Sequence, residues 1–75
     1  MAHKQFAERL NQELDNMEVP AHHRERTAIL AKLIQVPRYK AQAYLDGIYL
    51  PDEAVLSLLS KELEVDVDWL IGKTP

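Results

Sequence analysis

The chain has 75 residues, a formal net charge of −3 and no cysteine. Its length allows a single domain over residues 1–75, and the missing cysteines exclude disulfides and thiolate metal sites. No apolar run approaches the ~20 residues that span a bilayer, and residues 1–6 hold no apolar signal-peptide core. We therefore expect a cytoplasmic protein that does not contact membranes.

The charges are unevenly distributed along the chain. Residues 22–45 contain five basic residues and one acidic residue, a local net charge of +4, whereas residues 1–21 and 46–75 carry −2 and −5. A basic middle between acidic ends is typical of a localised anion-binding surface. A chance bias gives the same pattern without any function, so charge alone leaves both interpretations open.

The first predicted helix covers residues 4–17. Its apolar residues recur at helical steps of four, four and three: Phe6, Leu10, Leu14 and Met17. Pro20 is expected to stop it, because the residue before a proline avoids the helical region. Residues 18–25 then form a polar loop.

The second and third predicted helices cover residues 26–34 and 38–45. Residues 35–37 break the pattern, and Pro37 suits a helix start because its missing N–H is not needed there. Gly47 is expected to end the third helix, since glycine adopts the left-handed conformation freely. The inner face of the third helix is apolar: Ala41, Tyr44 and Leu45.

The fourth and fifth predicted helices cover residues 52–63 and 67–71. Asp66 is expected to cap the fifth helix, and Trp69 to cover the core. Residues 73–75 are expected to fray. The sequence therefore predicts an all-α fold of five helices.

Residues 27–45 combine two short helices with a three-residue break. The second helix leaves polar side chains outside: Arg38, Tyr39, Lys40 and Gln42. A helix-turn-helix has this layout and places its second helix in the major groove of duplex DNA. Arginine pairs with guanine, glutamine with adenine, and lysine with phosphate. A plain helical hairpin with a polar outer face also fits the spacing.

Residues 27–47, TAILAKLIQVPRYKAQAYLDG, resemble the helix-turn-helix of the Cro/CI phage-repressor family. Pro51 falls at the family's proline before the fourth helix, and residues 59–72, LSKELEVDVDWLIG, are similar to the family's ending. The resemblance implies a five-helix, lambda repressor-like DNA-binding domain with a central helix-turn-helix. It also implies a cytoplasmic, repressor-like regulator of transcription that binds double-stranded DNA as a homodimer on an operator.

The resemblance also implies which residues contact DNA. The base-reading positions fall at Arg38, Tyr39, Gln42 and Ala43, of which Ala43 offers only a thymine-methyl contact. Thr27 stands where the family often has a glutamine that caps the second helix and bonds a phosphate. Phosphate contacts are expected from five residues: Arg24, Arg26, Thr27, Lys40 and Tyr49.

Two residues depart from the family pattern. Gln35 replaces the usual turn glycine, so it either carries about 1 kcal/mol of strain or changes the turn. Pro37 replaces the usual serine or threonine, which removes a side-chain cap and an N–H. Both departures put the usual angle of the third helix in doubt.

Other functions find less support in the sequence. No cysteine or close acidic cluster completes a metal site with His3, His22 and His23, so we expect no metal or cofactor. No nucleophile–base pair occurs, so we do not expect an enzyme. The alternative function is a protein-interaction module on the same fold, an anti-repressor or antitoxin-like partner binder with little DNA affinity. The acidic ends and the altered turn motivate it.

Overall fold

The computed structural model describes residues 2–75, and all the regular structure in that range is helical. Its five helices are α1 (Ala2–Asn16), α2 (His23–Ile34), α3 (Arg38–Asp46), α4 (Glu53–Leu63) and α5 (Val67–Leu70). The predicted all-α class with five helices is confirmed. None of the helices in residues 2–75 is both long and apolar enough to cross a bilayer.

Helix α1 ends before the proline that is expected to stop it. The chain turns at Glu18, whose φ is 61°, and the Val19 N–H donates to the Leu14 carbonyl at 3.0 Å. Met17 lies in this turn and is 48% exposed. Its predicted place on the inner face is wrong, because the helical periodicity no longer applies outside the helix.

Helix α2 begins at His23, three residues before the predicted start. His22 is its N-cap residue and makes no side-chain cap hydrogen bond, but the Arg26 N–H donates to the His22 carbonyl at 2.9 Å. The usual serine, threonine or aspartate signal of a helix start is therefore missing here. The additional turn places His23, which the sequence predicts in the loop, at the start of the helix.

The connections on both sides of α3 agree closely with the sequence-based expectation. Gln35 takes the left-handed conformation, with φ 57° and ψ 49°, so of the two expected alternatives it is the strained one that occurs. Pro37 is the N-cap residue of α3 and is extended, with ψ 153°. Gly47 ends the helix in the left-handed conformation, as predicted, with φ 73°.

Of the two C-terminal helices, α4 begins with a side-chain cap and α5 does not. The Asp52 carboxylate accepts from the Val55 N–H at 2.9 Å at the start of α4. Asp66 is the N-cap residue of α5, as predicted, but its side chain makes no cap hydrogen bond. Residues 73–75 are exposed, and the Arg9 guanidinium donates to the Thr74 carbonyl at 2.8 Å.

The core lies where α3 packs against α1 and α2, and where α5 packs against α1 and α4. Six large side chains are fully buried there: Phe6, Leu10, Leu14, Leu30, Leu59 and Leu70. Each contributes about 2 kcal/mol of burial free energy. Trp69 is half-buried against this core, and the Arg9 guanidinium lies 4.8 Å from its ring centroid. Helix α3 packs against this core with one face, which contains its buried residues.

Candidate nucleic-acid interface

Helix α3 has one buried face and one exposed face. Ala41, Tyr44 and Leu45 are 0%, 4% and 6% exposed, as predicted for the inner face. The ring of Tyr44 meets Phe6 edge-on, with centroids 6.5 Å apart. Burial raises the pKa of the Tyr44 hydroxyl, with smaller contributions from nearby ionisable groups. This packing fixes the rotation of α3 about its axis.

The predicted base-reading residues share the opposite face of α3. Arg38, Tyr39 and Gln42 are exposed, Tyr39 by 67%, and Ala43 is half-exposed beside them. Positions 38, 39 and 42 lie on one side of a helix because it turns every 3.6 residues. The structure thus brings the four residues together on a surface that the core leaves open. Lys40, a predicted phosphate contact, is half-exposed on the same helix.

A cleft of about 280 Å³ separates the start of α3 from the first turns of α2. It is lined by five residues that can all donate hydrogen bonds: His23, Arg24, Thr27, Arg38 and Gln42. None of these five is acidic, and Arg24 and Arg38 are permanently charged. Arg24 is exposed, as a phosphate contact requires. The cleft is therefore suited to anionic groups.

Arg26 does not belong to this surface. It is only 5% exposed, and its guanidinium donates to Asp15 Oδ1 at 2.6 Å and to the Val19 and Pro20 carbonyls at 2.7 and 3.0 Å. Two further bonds reach the carbonyl and side-chain oxygens of Asn11. The predicted phosphate contact is wrong for Arg26, because its donors close the α1–α2 loop.

Thr27 is also less accessible than the sequence suggests. It is 5% exposed, and its hydroxyl oxygen is buried with no hydrogen-bond partner among the described residues. Because α2 starts at His23, the Thr27 N–H lies inside the helix rather than at its free end. The Thr27 N–H is therefore not available to a phosphate, and its hydroxyl is unpaired but buried.

Tyr49 lies in the connector between α3 and α4, where exposed residues are unusually apolar. Its ring is 41% exposed and meets Tyr44 edge-on, with centroids 5.6 Å apart. Ile48 and Leu50 on either side are 63% and 36% exposed. The contact with Tyr44 leaves Tyr49 beside α3, on the surface as predicted.

One polar contact of this surface has no signal in the sequence. The Nε2 atom of His23 lies 2.9 Å from Asp46 Oδ1, so the first residue of α2 is joined to the last residue of α3. This contact needs the additional turn of α2, which no capping residue announces. Within residues 2–75, no three histidine or acidic side chains gather as metal ligands would.

Comparison with protein-family models, with curated proteins and with solved structures finds no match to this chain.

Proposed function

We propose that this chain is a cytoplasmic regulator of transcription that binds specific sequences of double-stranded DNA. Its helix-turn-helix is α2 and α3, and α3 enters the major groove. In this proposal the five helices form a lambda repressor-like domain. The chain acts as a repressor, and it carries out no catalysis.

The observation that carries the proposal is the division of α3 into two faces. Its buried face is fixed by Ala41, Tyr44 and Leu45, while the exposed face presents the side chains that read bases in other proteins. A helix held by its neighbours on one side and polar on the other fits the width of the major groove. A plain hairpin does not require its guanidinium and amide groups to share one face.

Each exposed residue has a specific role in the proposal. The Arg38 guanidinium donates two hydrogen bonds to guanine, and the Gln42 amide pairs with adenine. Tyr39 contacts a base edge, and Ala43 contacts a thymine methyl group. Phosphates bind to the exposed or half-exposed flanking residues: Arg24, Lys40 and Tyr49.

A single domain of this size covers one half-site, and we propose that two copies bind a palindromic operator. The centres of the half-sites would then lie about 34 Å apart, one turn of duplex DNA. The net charge of −3 keeps non-specific binding weak. Specific contacts from two copies compensate for that weakness.

Selection of bound duplexes from a random pool, at two salt concentrations, tests the proposal. We expect enrichment of a two-fold symmetric sequence. Arg24 and Lys40 give about two cationic phosphate contacts per copy, so the logarithm of affinity should fall with the logarithm of salt with a slope of about −2 per copy. A pool without enrichment, or binding that ignores salt, would contradict it.

The exposed apolar connector favours a second candidate, a protein-interaction module with little DNA affinity. The connector presents an exposed apolar strip, which contacts with a DNA backbone would not require: Ile48, Tyr49 and Leu50. The same selection separates the two functions. A module of this kind would leave the DNA pool unenriched.

A further inference from the structure

The hydrogen bond between His23 and Asp46 determines which nitrogen of the imidazole is free. The carboxylate accepts, so Nε2 must carry a proton to donate across the 2.9 Å separation. In the neutral ring the other nitrogen, Nδ1, then has a lone pair and no proton. A phosphate oxygen is also an acceptor, so neutral His23 offers it nothing at Nδ1.

Protonation changes Nδ1 from an acceptor into a donor. In the charged ring Nε2–H still donates to Asp46, and Nδ1–H becomes a second, charged donor. The side chains of His23 and Asp46 are 54% and 40% exposed, so the ring reaches solvent and a ligand. A phosphate can then bind at Nδ1 while Asp46 holds the ring.

The charges around His23 come from three helices. From its own helix and from α3, Arg24 and Arg38 line the same cleft. Asp46 also lines a second groove, and α1 places charged side chains of both signs in that groove: Lys4, Glu8 and Asp15. Among the described residues, the Asp46 carboxylate is the one acidic group that contacts the ring. The side of the ring toward the cleft is cationic. An anion in the cleft would neutralise that cationic side and favour the charged ring.

We infer that His23 is a further phosphate-binding residue of the interface, and that it binds only in its protonated form. The inference rests on the proposed DNA-binding function. DNA binding is then coupled to the uptake of a proton by each copy. The affinity for DNA therefore rises when the solution is acidified.

The test measures affinity for the selected duplex by fluorescence anisotropy, at constant ionic strength, from about pH 8 to about pH 5.5. The unmodified chain should gain about tenfold in affinity, the usual size of one charge-assisted hydrogen bond. His23→Gln should remain near the pH 8 value throughout. His23→Lys should bind tightly at every pH, because lysine keeps its charge.

His22→Gln is the matched control, since His22 is the exposed neighbour at the N-cap and does not line the cleft. This variant should keep the pH dependence of the unmodified chain. Equal pH dependence in the unmodified chain and in His23→Gln overturns the inference but leaves the proposed function intact. A selection that yields no duplex overturns both.

Discussion

The turn between α2 and α3, in a basic region, has a counterpart between α4 and α5, in an acidic region. Gln35 and Glu64 are both left-handed, with φ of 57° and 56°. In each case the next residue, Val36 or Val65, donates its N–H to a carbonyl of the preceding helix, at 3.0 and 3.1 Å. An extended residue then starts the following helix. The backbone of the turn therefore does not by itself make a DNA-binding unit.

The two regions differ in the helix that comes after the turn. Helix α3 has nine residues and an exposed face with Arg38 and Gln42, whereas α5 has four residues and exposed Asp68. The surface around α5 is acidic, in contrast to the exposed face of α3. Its exposed acidic residues are Glu62, Glu64, Asp66 and Asp68. Of these two helices, α3 alone combines several turns with exposed basic side chains, as a helix that enters a DNA groove requires. The proposed function depends on this contrast.

The largest expected effect is a loss of stability when the buried hydrogen bonds of Arg26 are removed. Arg26→Met should lower the free energy of unfolding by about 3 kcal/mol, because the loop carbonyls and Asp15 lose their buried partner. Urea denaturation measures the loss. Arg24→Met is the control and should change stability by less than about 0.5 kcal/mol, since Arg24 is exposed. Equal losses in both variants would contradict the assigned roles.

Arg26 also shows where prediction from the sequence fails. Periodicity predicts the five helices and the buried face of α3 because apolar side chains recur at helical spacing. Charged residues are almost never fully buried unless paired, so the sequence alone favours an exposed Arg26. Its partners come from α1 and from the loop after it, and neither the loop path nor the additional turn of α2 leaves a local signal.

The second prediction tests the contrast between the two surfaces. Arg38→Ala should weaken binding of the selected duplex by about 2 kcal/mol and relax the preference at one base pair. Isothermal titration with matched and mismatched duplexes measures both effects. Lys61→Ala, an exposed substitution in α4, should leave affinity almost unchanged. The same loss for both variants would mean that net charge, rather than α3, determines binding.

The third prediction compares the stability gained when the left-handed residue of each turn is replaced by glycine. Gln35→Gly and Glu64→Gly should each stabilise the fold by about 1 kcal/mol, because glycine relieves the left-handed strain. Thermal unfolding followed by circular dichroism measures the change. Gln12→Gly, at an exposed position inside α1, should destabilise by about the same amount. A turn that gains nothing from glycine would show that its strain is relieved in another way.

The smallest effect is confined to alkaline solution. Burial raises the pKa of Tyr44 in the folded chain, so its contribution to stability is complete below about pH 10, the unfolded value, and is lost as the pH rises through the folded value. Tyr44→Phe should lack this part of the alkaline loss. Urea denaturation across this pH range compares the two. Identical curves would show that Tyr44 does not contribute to the alkaline loss.

The most direct measurement is a titration of the labelled chain with the selected duplex, followed by amide NMR signals. If α3 reads the DNA, the signals of residues 38–43 should move strongly and those of residues 62–68 should remain in place. Movement confined to residues 62–68, with residues 38–43 unchanged, would contradict the proposed role of α3.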